Sequence, residues 1–497
     1  MSNKGRRPNI IVITTDQQRY DTLGVTGNEL IRTPNLDALA ARGVLFSHAY
    51  VQNPVCIPSR ACLHTGRYIH QHGVQYMEEV IDTTPPLPPW EKTFMERLQE
   101  SGYVTGAVGK IHMMRPKGYD EMVLTGGKGA RWTQSEGLPI GPAPLHYVNP
   151  TYNGPTYKEW LEARHPGGYE KIYEQRRRPE YRENLTAIVN VLPEEEYVDY
   201  WIASQAVDFL KRRRDPQPFF LWIGFCGPHG PLDPPRRYTE MYPIEEMPLP
   251  KTYFADLSDK PEFLRRRRNR RFTEEDTTLI RRCIAHYYAL ITLIDDQIGR
   301  IWTTLEETGL VEDTILIFTS DHGDMLGDFG MMGKANFYEP VIRVPTILIL
   351  PPRFKRRSPR FDGLVETMSL APTVLDYAGI ERPPEMTAKS WRPIVEDGTD
   401  GETAILCEYV SNDRRLKGKC VRTERYKFVS WGLGVGELYD LQEDPFELRN
   451  LYDDPEYIHL RDEMKDILLE RLAESETPPY TQWLERLPEH VLPCNPR

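Results

Sequence analysis

Cysteine is scarce in this chain of 497 residues: seven in all, at positions 56, 62, 226, 283, 407, 420 and 494, an odd number with no repeating spacing. Such a set is no disulfide framework, so a reducing compartment is expected. Long apolar runs are missing as well. The opening MSNKGRRPN leads into an apolar segment of only about seven residues, too short for a signal h-region or a membrane span. No other run reaches spanning length, and the chain reads as soluble, cytoplasmic and without membrane contact. Nor is positive charge in excess. A formal net charge of -11 argues against a nucleic-acid partner, which would demand phosphate-neutralising cations, yet it leaves room for a small anionic substrate. The exception is FLRRRRNRRF (Phe263 to Phe272), followed by TEED. That run reads as a solvated surface segment or a subunit contact, and it leaves a homo-oligomer open.

What the chain does have is a globular balance, 39% hydrophobic and 27% charged residues, with length enough for two or three domains. Four apolar runs read as buried strands, and each hands over to polar residues at its C-terminal end. Asn9 to Thr15 leads to Asp16 and Gln17; Tyr103 to Gly109 leads to Lys110 and His112. Phe219 to Phe225 leads to His229, and Thr314 to Ser320 leads to Asp321 and His322. Continuous runs rich in Ile, Val and Phe suit central strands covered on both faces. Helical patterns lie between them. Thr33 to Gly43 has a Thr cap, a Pro at the first position and a Gly stop, and Leu290 to Gly309 sets Ile291, Ile294, Ile298, Ile301 and Leu305 on one face.

The alternation predicts an α/β fold, a large, mostly parallel mixed sheet sandwiched by helices. Ligands of such folds sit outside the C-terminal edge of the sheet. On that rule Asp16, Lys110, His229 and Asp321 converge from far apart in sequence. Singly, each has a plain reading: a turn-forming Asp, a loop histidine, an exposed lysine. Together, two carboxylates with an adjacent His and Gln make an oxygen-rich site for a divalent metal ion. Lysines, an arginine and histidines around it would bind a tetrahedral anion. The stretch VCIPSRACLHTGRY (Val55 to Tyr68) reads as a loop entering a helix, with Cys56 at its start and Gly66 at its close. Position alone leaves that cysteine a structural thiol, an activated nucleophile or something less usual.

CIPSR (Cys56 to Arg60) matches the C-x-P-S-R signature, and further matches follow in TGRY (Thr65 to Tyr68), GYVTGAVGKIH (Gly102 to His112), PHGP (Pro228 to Pro231), TSDHGDMLGDFG (Thr319 to Gly330) and LYDLQEDPFELRNL (Leu438 to Leu451). In these the chain resembles the type I sulfatases of the alkaline phosphatase superfamily, over nearly its whole length. The resemblance implies an alkaline phosphatase-like catalytic domain over 1–384. A smaller C-terminal α+β domain would follow over 385–497, with strands in TAILCEYV and YKFVSW, a helix around Ile458 to Ala473 and an irregular tail. It also implies that a separate maturation enzyme oxidises Cys56 to formylglycine. The hydrated aldehyde has two hydroxyls on one carbon. One attacks sulfur, and loss of the proton from the other expels sulfate, a release step that a plain serine or thiol lacks. A helix start suits the anion, because free N–H groups point at it.

By the same resemblance Asp16, Gln17, Asp321 and His322, with the modified Cys56, would hold one divalent metal ion. Arg60 would hold the hydrate, Lys110 and Lys334 would contact sulfate oxygens, His112 would assist sulfate elimination and His229 would support the leaving group. Lys334 rests only on its distance beyond Asp321. Two positions depart from the commonest sulfatase pattern: Gln17 stands where many have aspartate, and His322 where many have asparagine. Both resemble the phosphonate monoester hydrolase branch, whose signature is nearer C-x-P-A-R than the C-x-P-S-R found here. They leave calcium and manganese both open, imidazole favouring manganese.

The expected activity is hydrolysis of a small-molecule sulfate ester; the alternative is a phosphonate monoester or phosphodiester hydrolase using the same residues, and a third reading is a silent anion-binding protein in which Cys56 stays a thiol. The organic part of the substrate is open, and specificity is expected between Met113 and Pro193, a loop-rich stretch. His64, His70 and His72, with Cys62 nearby, match no usual zinc spacing and read as structural or pocket-lining, with Cys62 packed away from Cys56.

Overall fold

A computed structural model describes residues 6–76, 87, 88, 90–113, 117–125, 152, 153, 155–213 and 216–476. In chain order the main sheet uses β1 (Asn9–Asp16), β2 (Val44–Tyr50), β3 (Val104–Gly109), β4 (Glu121–Leu124), β5 (Tyr152–Asn153), β6 (Phe219–Pro228), β7 (Thr314–Ser320), β8 (Thr346–Ile349) and β9 (Arg360–Glu366). Their spatial order is β5-β4-β3-β6-β1-β7-β8-β2-β9, and β8 alone runs against its neighbours. The four apolar runs are therefore the four adjacent strands β3, β6, β1 and β7, all parallel.

Every residue of β1 is buried, and its side chains alternate between two cores. Ile11 and Ile13 join one face with Leu221, Ile223, Leu316 and Phe318; Ile10 and Val12 join the other with Phe220, Trp222, Ile315 and Ile317. A period of two with apolar residues in both phases is what a sheet covered by helices on both sides requires. The helices Val198–Arg212 and Thr278–Glu307 cover the first face. The second face packs against α2 (Cys56–Thr65), which follows α1 (Pro34–Arg42) in sequence, and against the helix Leu370–Tyr377.

Three expectations need adjustment. The helix expected from Leu290 begins at Thr278, because Ile280, Cys283, Ile284 and Tyr287 are buried on the same face; arginines and aromatics among them blur the pattern. Thr33 precedes α1 but its hydroxyl does not cap it; Oγ1 accepts from the Gly24 amide at 2.9 Å and meets Asp37 at 3.2 Å. Finally, the arginine run is more than a solvated segment. Arg268 donates to the carbonyls of Tyr253 and Ala255, and Arg267 to those of Lys334 and Ala335.

Beyond the main sheet, β10 (Ala404–Val410), β11 (Lys417–Thr423), β12 (Tyr426–Gly432) and β13 (Val435–Asp440) form an antiparallel meander. The helix Ile458–Ser475 packs Met464 and Leu468 on it, in a cluster that also takes in Cys62 of α2 and Tyr68 and Ile69 just beyond that helix. Cys62 thus packs away from Cys56. The six described cysteines are free thiols, and no described helix is long and apolar enough to cross a membrane. Much of the expected specificity region (114–116, 126–151 and 154) and the tail from 477 lie outside the described residues; the rest of that region includes the helices Tyr157–Arg164, Gly168–Arg177 and Pro179–Glu183.

Candidate active site and metal centre

The strand register lines up the polar ends. Asp16 is the last residue of β1, and the amide of His229, just beyond β6, donates to its carbonyl at 2.9 Å. The amide of Lys110, just past β3, donates to Gly224 of β6 at 2.7 Å, and Lys110 Nζ pairs with the Asp16 carboxylate. Asp321 and His322 leave β7 beside them. The Gln17 amide, in left-handed backbone at φ 71°, donates to Asp321 Oδ1 at 3.0 Å and so ties the ends of β1 and β7 together.

Onto this edge α2 brings its first turn. Val55, in extended backbone, precedes it, and Cys56 is its first residue. Ser59 Oγ donates to the Asp321 carbonyl at 2.5 Å. Arg60, wholly buried, donates through Nε to Asp321 Oδ2 at 2.8 Å and through Nη2 to Asp16 Oδ2 at 3.3 Å. A third bond, from Nη1, reaches the Lys110 carbonyl at 3.3 Å. The last two residues of CIPSR are thus the bolts that fix Cys56 against the acidic strand ends. A buried guanidinium with two carboxylates and a carbonyl has its donors satisfied, as such burial demands.

Asp16, Cys56, Asp321 and His322 each offer a ligand atom, all buried and all within 4.8 Å of one another. Cys56 Sγ lies 3.1 Å from His322 Nε2, 3.9 Å from Asp16 Oδ1 and 2.7 Å from Lys334 Nζ, which also stands 3.0 Å from His322 Nε2. Lys334, placed in sequence by distance alone, is therefore in the site. Gln17 Nε2 donates to Asp324, leaving Oε1 a buried acceptor without a partner among the described residues. The donor set fits a hard cation: two carboxylates, an amide oxygen with nothing else to bind, and an imidazole.

The local field follows from these neighbours. Burial would raise the Asp16 carboxyl, but Lys110, His229, Lys334 and Arg60 hold it well below the usual range. Burial and Asp16 push the Cys56 thiol up, and Lys334 and His322 more than offset them, so it falls below its ordinary value. Burial, aided by Lys110 for His112 and by Lys334 for His229, keeps both imidazoles well below the usual histidine range. His229 Nδ1 sits 2.7 Å from the Gly230 carbonyl and must carry its hydrogen there, which leaves Nε2 as the open atom. His112 Nδ1 is buried without a partner among the described residues, on a residue at φ 53°.

Contacts bring together Asp16, Gln17, Cys56, Arg60, Lys110, His229, Asp321, His322 and Lys334, and His112 feels the charges of Lys110 and Asp16. Asp324, which aims the Gln17 amide, was not foreseen; it lies in the quoted TSDHGDMLGDFG, and an acid three residues past Asp321 was its only signal. Tyr287, whose hydroxyl donates to the Gln17 carbonyl at 2.5 Å, sits in the helical turns that the sequence pattern missed. The three histidines near α2 lie elsewhere. His64 packs edge-on to Trp222, His70 meets Glu408 at 2.8 Å, and His72 lies 3.4 Å from Cys62 Sγ.

Comparison with known proteins agrees with this geometry. The sulfatase family model matches residues 8–380, and the model of the N-sulphoglucosamine sulphohydrolase C-terminal region matches 327–474. An arylsulfatase of Clostridium perfringens is 31% identical over 490 residues, covering 94% of each chain. Among solved structures, the phosphonate monoester hydrolase of Agrobacterium radiobacter superposes with a TM-score of 0.74 at 24% identity, covering 95% of this chain and 96% of its own. A protein solved with its substrate D-glucosamine-2-N,6-O-disulfate gives a TM-score of 0.73 at 22% identity, covering 96% of this chain and 100% of its own.

Proposed function

Because the chain belongs to the sulfatase family, we propose that it hydrolyses an organic sulfate monoester with formylglycine made from Cys56 and one divalent cation. The family makes it a sulfuric ester hydrolase; the nucleophile, the metal and the residue roles are the proposal. One observation carries it: Asp16, Cys56, Asp321 and His322 share a buried cluster, with Lys334 Nζ 2.7 Å from Sγ. Sγ marks where the oxygens of the hydrated aldehyde would stand. Asp16, Gln17, Asp321 and His322 would hold the cation, which supplies Lewis-acid polarisation of the ester and nucleophile oxygens.

The protein's own groups then divide the work. Lys334 and Lys110 offer ammonium charges to sulfate oxygens. Arg60, spent on Asp16, Asp321 and the Lys110 carbonyl, fixes the nucleophile's helix against both carboxylates. His229 Nε2 is the atom placed to hand a proton to the departing alcohol, and His112 the base that draws off the proton when sulfate is released. The division of the chain into 1–384 and 385–497 belongs to the same proposal, and the separate meander β10 to β13 supports it.

Gln17 and His322 favour a second reading, a phosphonate monoester or phosphodiester hydrolase on the same site. Both chemistries attack a tetrahedral centre that carries anionic oxygens. The test uses protein produced together with a maturation enzyme. Peptide mass spectrometry across Cys56 should show the aldehyde, and turnover of an aryl sulfate should exceed that of the matched aryl phosphonate monoester. A confirmed metal-free preparation should be inactive, with manganese restoring it at least as well as calcium. Full activity without metal would overturn the site, and preferred turnover of the phosphonate would establish the second reading.

A further inference from the structure

The arginine run Phe263 to Phe272 is unabsorbed by the roles above, yet one of its side chains ends at the site. Arg265, Arg266 and Arg270 are exposed, and Arg267 is turned inward and half-buried. Its guanidinium donates through Nη1 to the Ala335 carbonyl at 2.9 Å and through Nη2 to the Lys334 carbonyl. Among the described residues no carboxylate forms an ion pair with it, and burial lowers its proton affinity against a weaker pull from Tyr409 and Asp324. A half-buried cation that spends itself on two consecutive carbonyls is costly unless those carbonyls must be held.

They belong to a segment that would not hold itself. Gly333 and Ala335 are both left-handed, at φ 81° and 71°, and alanine rarely adopts that conformation. The segment is tied on three further sides. The Gly333 amide donates to Asp324 Oδ1 at 3.1 Å, its carbonyl accepts from the Met325 amide at 2.8 Å, and the Ala335 amide donates to the Pro54 carbonyl at 3.3 Å. Between these ties the side chain presented to Cys56 is that of Lys334, with Nζ 2.7 Å from Sγ.

We infer that Arg267 is the positioning residue for Lys334: its planar fork clamps the Lys334 and Ala335 carbonyls and so sets the ammonium against Cys56 and His322. The inference rests on the proposed function, since it concerns the lysine of that site. Lysine at 267 should not replace arginine, because one ammonium cannot copy the parallel donors of the fork.

A double-mutant cycle on the metal-loaded, matured enzyme tests it. Arg267→Ala should lower kcat/KM by about tenfold, whereas in a Lys334→Ala background it should change the rate by less than about twofold. Added guanidinium ion should recover part of the loss in Arg267→Ala, and Arg266→Ala should match the wild type. Competitive acetylation read by peptide mass spectrometry follows Lys334 independently of turnover, and labelling of Lys334 should rise in Arg267→Ala. If Arg267→Ala does not fold, Arg267→Lys is read by the same two measures and should show the same direction. Independent, multiplicative losses in the cycle, or unchanged Lys334 labelling, would overturn the inference. A wild-type enzyme inert to sulfate esters would instead count against the proposed function, and the labelling result would still decide the role of Arg267.

Discussion

At the scale of single residues, the site divides its positive charge between structure and chemistry. Arg60 is bound on every side, whereas His229 has one nitrogen committed to a backbone carbonyl and one open. Burial, with the positive charge of Lys334 and Lys110, outweighs the pull of the Asp16 carboxylate and holds this imidazole well below the usual histidine range. An entering sulfate ester brings the negative charge that would let it hold a proton. A proton donor matters most where the departing alkoxide is most basic. Replacing His229 with alanine should therefore slow alkyl sulfates by about a hundredfold or more and activated aryl sulfates much less, steepening the dependence on leaving-group pKa. An equal loss across a graded series of esters would make His229 a substrate-positioning group instead.

At the scale of elements, α2 was legible at both ends, because Pro58 and Ser59 sit in its first turn and Gly66, at φ 65°, stops it. What its ten residues would touch was not legible. Ser59 and Arg60 grip Asp321 and Asp16 across more than two hundred and about forty residues of sequence, and no local pattern encodes such contacts. The same grip argues a prediction about the nucleophile. In Cys56→Ser the helix keeps both bolts, and the new hydroxyl lies where Lys334 and His322 already stand, so stability should change by only about 1 kcal/mol. Metal content should match the wild type. Turnover should nevertheless stop, because a serine sulfated once has no second hydroxyl whose proton can be drawn off to expel sulfate. Mass spectrometry should find either a stable sulfated serine or no reaction, and repeated turnover at the wild-type rate would remove the case for formylglycine.

At the scale of the whole molecule, the sequence disclosed the four central strands and the edge where their chemistry meets, since continuous apolar runs report burial on both faces. The edge strand β5, its neighbour β4 and the reversed β8 have only two to four residues each, too short for a run to stand out. The histidines beside α2 show what the packed interior does to a residue that looks functional. His64 lies edge-on to Trp222, 4.7 Å between ring centres, and burial with help from Arg60 lowers it to about 3. In the unfolded chain the same imidazole titrates near its ordinary value, so between those two limits the unfolded state binds the extra proton. Stability is then fully present above about pH 6.5 and falls as the medium is acidified, by about 2 kcal/mol for this one residue at pH 5. Glu366, raised to about 7 by burial against the pull of Arg471, works in the opposite sense over the same range, so the total slope mixes several groups. A difference isolates the histidine. Phenylalanine at position 64 keeps an aromatic edge toward Trp222 and has nothing to protonate. Urea unfolding of wild type and His64→Phe at pH 7.5 and pH 5.0 should show the variant losing about 2 kcal/mol less on acidification. Equal losses in the two proteins would mean that His64 carries its proton in the folded state, and that the core around Trp222 admits water.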